Sequence, residues 1–540
     1  MADSQSDASD RTLHTRLRSV GSTVVLHAKK HVGVGVVCAV AYFDPGNWGV
    51  DLQAGTQFGY RLLFVVLLAG LFAAFLQVLA TRLGCVTGLD LASHCRVLLY
   101  DRPRNPRLWR WLGLYPLYIL SEVAIISTDL AELLGSAIGL CLLFPRLELW
   151  HGVLITTFDV IFLLALRDPL RSRPVRLFEF LIAGLVLSVL ICMVIIITKV
   201  QVDWAQAFEG YLPSKFIFKT GGLYTSVGIL GATVMPHSLF LGSALATQDR
   251  LTENTPLVPP EVEVPKPEVL GVAASRETSS RTLYRPSRLS RLSESVKFMF
   301  RTPPPSQHAT RATSHADREN NTLSFIRAHL NHAVFDVVGS LLGFAVLINS
   351  MILIIASAVF FNRDTGVGVH KTASLFDAYN LIHRLVGAPV ATIFAIALLA
   401  SGQSSSIIAT VAGQAVSEGF LNWRVSPVVR RLLTRLIAVI PSMVVAIAVG
   451  RPGIDALLVA SQVILSIVLP FITLPLIYLT SSKTIMRVRK SDTLVREVGD
   501  SWDGMVDYSN GRFTTVTACG IWLLMLTANI YVIVTLIIEA

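Results

Sequence analysis

The sequence predicts an all-α polytopic membrane protein of eleven transmembrane helices, built as two five-helix halves plus one, with helices 1 and 6 discontinuous. Three observations carry this. Of 540 residues, 53% are hydrophobic and only 15% charged, too apolar for a soluble chain of this length. A hydrocarbon crossing needs about 20 apolar residues, and eleven stretches supply them: 32–57, 62–81, 113–144, 150–166, 177–198, 221–247, 332–361, 388–420, 431–449, 455–481 and 514–538. Two of these stretches, the first and the sixth, are interrupted at mid-span by proline beside polar side chains, at Asp44-Pro-Gly-Asn47 and at Met235-Pro-His237. Each interruption opens one half, which is the arrangement expected of an inverted repeat.

Between the spans the chain divides into a cytosolic N-terminal tail (1–31), spans 1–6 (32–247), a polar insert (248–327), spans 7–10 (328–481), a cytosolic loop (482–513) and span 11 (514–540). The first 30 residues mix Asp, Arg, Ser and Lys without an apolar core. No cleaved secretory signal is expected there, and the first span directs insertion. With the N-terminus in the cytosol, the basic clusters fall on one side: Lys29 and Lys30; Arg96, Arg102, Arg104, Arg107 and Arg110; Arg167, Arg171, Arg173 and Arg176; then Arg424, Arg430, Lys483, Arg487, Arg489 and Lys490. This positive-inside pattern explains the net charge of +10 without nucleic acid as a partner. The insert, rich in Pro, Ser, Thr and Arg, cannot bury enough apolar surface to fold and reads as a disordered cytosolic loop, a plain linker or a contact for regulatory proteins. Asn320-Asn-Thr322 matches a glycosylation acceptor but falls on the cytosolic side of this topology. Six cysteines are scattered, mostly inside apolar runs, as small fillers and not as a disulfide framework. Cys85, His94 and Cys95 fit no zinc spacing.

The chemistry concentrates at the two breaks. Proline has no backbone N–H and clashes with the preceding turn, so carbonyls are freed there, among them that of Ala232. In lipid, freed backbone is tolerated only against protein or a polar cavity. Asp44 and Asn47 flank Pro45-Gly46, so a carboxylate and an amide oxygen share one unwound turn and can converge on a cation. Met235 adds a thioether, a donor suited to softer transition metals, where magnesium and calcium prefer oxygen. Structural kinks with a packing methionine are the plain alternative, but an ionised carboxylate at that depth costs about 2.5 to 3.5 kcal/mol on insertion scales.

A second polar feature lies in span 3, where Glu122, Asp129 and Glu132 are spaced seven and then three apart. At about 100 degrees per residue they form one stripe. Three acids on one face require a hydrated path or buried partners. Arg435 in span 9 is a natural counter-ion for one of them, and His237, two residues past Met235, is of the one side-chain type that can titrate near neutral pH. An ion-pair network that only holds helices 3, 6 and 9 together is the alternative.

Asp44-Pro-Gly-Asn47 with Asp51-Leu-Gln-Ala-Gly55, Ala232 through His237, and Ser401-Gly-Gln-Ser-Ser405 leading to Ala412-Gly-Gln414 and Glu418-Gly-Phe-Leu421 resemble the Nramp divalent metal transporters, over nearly every span. Ser238 stands where most members have Asn, and its surroundings are similar to the fungal branch. The resemblance implies a fold like that of the leucine transporter and proton-coupled uptake of manganese or ferrous iron. It implies Asp44, Asn47, the Ala232 carbonyl and Met235 as metal ligands, with Gln462 approaching the metal during occlusion. It also implies Glu122, Asp129, Glu132, His237 and Arg435 as the proton route. No enzyme activity and no resident cofactor are expected: the divalent metal is cargo and the proton the coupling ion. Two other readings remain: an amino-acid symporter of similar fold, and a membrane nutrient sensor acting through the insert. Plasma membrane and vacuolar or endosomal membrane suit the sequence equally.

Overall fold

The computed structural model describes residues 34–163, 176–219, 221–250, 315, 319–361, 374–423, 426–490 and 504–539. The tail 1–31, most of the insert 248–327, and Lys29, Lys30, Arg167, Arg171, Arg173 and Arg424 lie outside the described residues.

Both interrupted spans break in the same way. The first begins as α1 (Val34–Val40), tightens into a 3₁₀ turn at Ala41–Phe43, and restarts as α2 (Pro45–Phe58). The sixth runs as α9 (Gly222–Thr233) and restarts as α10 (Pro236–Leu245). In each case the proline is the first residue of the second half-helix, where its missing N–H removes no helical bond. The residue before it, Asp44 (φ −64°, ψ 169°) or Met235 (φ −75°, ψ 117°), is extended, as a position preceding proline prefers.

The other helices in order are α3 (Leu63–Thr87), α4 (Leu91–Leu99), α5 (Tyr115–Leu143), α6 (Leu149–Leu163), α7 (Arg176–Lys199) and α8 (Trp204–Glu209) before α9. After α10 come α11 (Leu323–Ser340), α12 (Leu347–Ala356), α13 (Leu375–Leu385), α14 (Ala388–Leu421), α15 (Pro427–Ala448), α16 (Arg451–Ser481) and α17 (Arg512–Glu539). Among the described residues, eight helical stretches are long and apolar enough to cross a membrane, against eleven apolar stretches in the sequence. The difference has local causes. The first break leaves Val34–Phe43 as a short piece, and the 3₁₀ turn Gly59–Leu62 joins the rest of that span to the next, in one run Pro45–Thr87. In α15 the apolar stretch among the described residues is the shorter Leu432–Ala448, and α6 ends at Leu163, where the described residues stop.

The helices bury a large apolar core and, with it, many polar side chains, and turn further apolar side chains outward. In α15, Leu433, Leu436, Ile440, Val444 and Ile447 are all more than half exposed, whereas Thr434, Arg435, Ala438 and Ser442 are buried. That apolar stripe fits lipid and the opposite face fits the bundle. The expected 482–513 loop departs from an all-helical fold: Arg487–Arg489 pairs antiparallel with Met505–Asp507. Strands of three residues are too short to leave a periodic signal in the sequence. Arg82 of α3 docks this hairpin by donating to the Tyr508 carbonyl (2.8 Å) and Asn510 Oδ1 (3.0 Å). Asn320 Nδ2 donates to the carbonyls of Ile485 and Arg487, so the amide of the apparent glycosylation motif is engaged in the fold.

Candidate metal site

At the first break the carbonyls freed by Pro45 and the 3₁₀ turn find donors from other helices. Asn349 Nδ2 of α12 donates to the Tyr42 carbonyl (2.7 Å) and Ser401 Oγ of α14 to the Phe43 carbonyl (2.7 Å), which Trp48 Nε1 also reaches (3.3 Å). The backbone is therefore satisfied by protein, as a break at membrane depth requires.

The side chains at the break are not. Asp44 caps α2: its Oδ1 accepts both the Asn47 backbone N–H and Asn47 Nδ2, each at 2.9 Å. Capping thus occupies one carboxylate oxygen, and Asp44 Oδ2 and Asn47 Oδ1 have no hydrogen-bond partner. Gln462 of α16 donates Nε2 to Ser461 Oγ (3.1 Å), and its Oε1 also has no partner. Gln462 spans the two breaks. A Cβ on Gly46 would collide with its side-chain amide, and one on Gly231, next to Ala232, would collide with its backbone carbonyl. The α9 helix packs on both α2 and the Ala41–Phe43 turn, and α16 on both α9 and α2. Ala232 lies in the last turn of α9, where Pro236 offers its carbonyl no N–H, and Met235 is fully buried in the linker.

Asp44, Asn47, Met235 and Gln462 are at most 1% exposed, so this conformation seals the site from both faces. Three buried oxygen acceptors without donors cost roughly 1–3 kcal/mol each. A cation would cancel that cost, and with the thioether and carbonyl that the second break carries, these oxygens would make a mixed donor set suited to a transition metal. Among the described residues no group of three or more His, Cys, Asp and Glu gathers elsewhere to hold a metal. Cys85, His94 and Cys95 are buried, with His94 bonded to Thr87 and His315.

The acid stripe of α5 faces α15 and α10. Glu122 forms a two-oxygen bridge to Arg430 Nη2, both contacts at 2.8 Å. Asp129 lies 3.6 Å from Arg435 Nη1, which also donates to the Asp129 carbonyl (3.0 Å), while Nη2 donates to Ser406 Oγ (2.6 Å). Glu132 is fully buried one turn further on. His237 Nδ1 lies 3.3 Å from Thr128 Oγ1, beside Asp129. In the tautomer in which Thr128 gives its one proton to the Ala124 carbonyl (3.0 Å), His237 Nδ1 carries the hydrogen and donates. His237 Nε2, buried and without a partner, is then a bare proton acceptor.

Broken helices with this ligand chemistry match a known family. The profile of the natural resistance-associated macrophage protein-like family, Nramp, matches residues 35–266 and 306–499. The chain belongs to the Nramp family. It is 40% identical over 509 residues to the manganese transporter pdt1 of Schizosaccharomyces pombe, covering 94% of this chain and 85% of that one. It is 36% identical over 528 residues to the iron transporter SMF3 of Saccharomyces cerevisiae, covering 95% and 97%. Among solved structures, the manganese transporter of Eremococcus coleocola in complex with an aromatic bis-isothiourea substituted compound superposes with a TM-score of 0.65. The two are 29% identical over 92% of this chain and 84% of that one.

Three residues of this Nramp chain enter the polar network without having been singled out for it in the sequence. Arg430, counted there only as a topology charge, pairs with Glu122; Thr128 orients His237; and Asp51, two turns beyond Asp44 on α2, is buried with Oδ2 lacking a partner. The signal for Arg430 was available: two acids seven apart on one helix face two arginines five apart on another.

Proposed function

We propose that this protein carries divalent transition metal ions, manganese or ferrous iron, into the cytosol by alternating access, with proton flow as the driving force. The observation that carries the reading is the set of buried, donor-less oxygens of Asp44, Asn47 and Gln462 at the meeting of two broken helices. The metal is cargo, held by Asp44, Asn47, Met235 and the Ala232 carbonyl, with Gln462 joining as the site closes. Because the site is sealed here, loading and release require half-helices α1 and α9–α10 to move against the rest, with eleven crossings organised as two inverted five-helix repeats and one further helix. The N-terminus lies in the cytosol, and the membrane is the plasma membrane or that of a vacuole or endosome.

The acid stripe supports proton coupling. Asp44 must be ionised to hold a cation, and His237, Asp129, Glu132 and Glu122 mark out a polar line leading from the site along α5. The fungal relatives named as manganese and iron transporters support the choice of cargo. The test is manganese flux into liposomes with and without an imposed pH gradient, comparing the parent with Met235→Ala. An inward proton gradient should accelerate uptake, and the variant should lose discrimination against calcium. Gradient-independent flux would remove the coupling, and unchanged selectivity would remove the sulfur from the ligand set. Uptake of amino acids in place of manganese would favour the symporter reading.

A further inference from the structure

The segment leading into α5 is charged and greasy at once. Between Arg96 and Leu114 the sequence holds five arginines and a single acid, Asp101. Three of the arginines are held by the fold. Arg96 donates to the Phe420 carbonyl (2.9 Å), Arg102 to the Leu98 carbonyl (2.9 Å), and Arg110 to the Tyr100 carbonyl (2.7 Å) and to Asp101 (2.7 Å). Asp101 is thereby neutralised. Arg104 and Arg107 are exposed and make no side-chain bond to any described residue. They sit on either side of a tight corner at Asn105 (φ 55°) and Pro106.

Beside these charges, Leu108, Trp111 and Leu112 are 53%, 70% and 73% exposed. Through Trp109 and the π turn Arg110–Leu114, this segment runs directly into α5. On α5 the exposed apolar side chains are Ile119 and Val123. Leu108 and Leu112 at the π turn, and Ile119 and Val123 beyond it on α5, are each four residues apart, so the exposed apolar side chains come in two helically spaced pairs. Apolar exposure therefore continues from α5 past the end of the span, to the level of the free arginines. An acidic protein partner would match the charge but not apolar exposure continuous with that of the span.

We propose that residues Arg104–Leu112 form a docking surface for anionic phospholipid headgroups, with Arg104 and Arg107 on the lipid phosphates and Trp111 and Leu112 in the interface beneath them. Tryptophan prefers that depth, and arginine matches phosphate oxygens with its planar fork. Such a contact holds the end of α5, the helix that carries the acid stripe, at a fixed height in the bilayer. In the orientation proposed above, the leaflet is the cytosolic one, which carries the anionic lipids. Headgroup binding itself does not depend on that orientation or on the transport reading.

The experiment is native mass spectrometry of the full chain from detergent, with phosphatidylinositol or phosphatidylcholine added, comparing the parent with the double variants Arg104→Gln/Arg107→Gln and Arg104→Lys/Arg107→Lys. Each surface arginine is worth about fivefold in anionic-lipid affinity, so the glutamine pair should lose about thirtyfold of the preference for phosphatidylinositol. The lysine pair should recover most of it. Retention should weaken as salt screens the charges. If the glutamine pair does not fold, each single glutamine variant should lose about fivefold. The proposal is overturned by a preference that the glutamine variants leave intact, by equal retention of both lipids in the parent, or by inorganic phosphate competing as well as the lipid. Selective capture of an acidic peptide over anionic vesicles would transfer the surface to a protein partner.

Discussion

At the residue scale, the first break depends on donors lent by distant parts of the chain. The Tyr42 carbonyl takes its hydrogen bond from Asn349, while the Phe43 carbonyl has both Ser401 and Trp48. A buried carbonyl stripped of its donor costs roughly 1–3 kcal/mol. Asn349→Leu, close to the same size, should therefore lower the thermal unfolding midpoint in detergent more than Ser401→Ala, whose carbonyl keeps the indole donor. Equal losses would mean that the Tyr42 carbonyl is satisfied in some other way. These two residues also mark the limit of what the sequence discloses. Asp44, Asn47 and Met235 are legible because proline and a charge at bilayer depth demand an explanation. An asparagine or serine inside an apolar helix has several cheap fates, and only the fold shows that Asn349 and Ser401 reach back over 300 residues to the same turn.

At the scale of elements, α5 is pressed against the break on one side and tied to α15 on the other. Gly135 makes the first contact feasible, since a Cβ there would collide with the ring of Pro45. Gly135→Val should force α5 from the break, at about 1–3 kcal/mol for overpacking, and should reduce manganese uptake further than it reduces stability. Flux that merely tracks the folded fraction would show that this contact only packs. The tie to α15 is the Glu122–Arg430 bridge, with Arg435 near Asp129. Glu122 and Arg430 are largely buried, at 18% and 8% side-chain exposure, so the pair should exceed a surface ion pair. A double-mutant cycle of Glu122→Gln and Arg430→Gln should give a coupling energy of about 1–3 kcal/mol in unfolding measurements, and additive losses would mean that the two side chains act independently. The stripe itself was legible from the spacing of its acids on one helix. Its partners were not fully so, because pairing between helices 308 residues apart is a property of topology, which a single sequence indicates only loosely.

At the scale of the whole molecule, the metal site and the acid stripe meet through two residues, His237 and Thr128. Met235 and His237 stand on either side of Pro236, so the half-helix that begins at the proposed thioether ligand also presents an imidazole to α5. Thr128 holds that imidazole by its Nδ1, beside the turn that carries Asp129, and the ring's Nε2 has no partner. In the proposed cycle, a proton displaced when a cation settles on Asp44 would find an acceptor on α10 and acids beyond it. Two consequences separate this coupling from a merely structural network. Manganese binding should release protons, so its affinity should rise with pH while Asp44 and its neighbours titrate, as calorimetry in buffers of different ionisation enthalpy can measure. Asp129→Asn should preserve manganese binding but abolish manganese-evoked acidification inside proteoliposomes, because the cation still finds its ligands while the proton loses its path. If the variant acidifies like the parent, the stripe is scaffolding, and the proton reaches the cytosol with the metal along the route that opens when α1 moves.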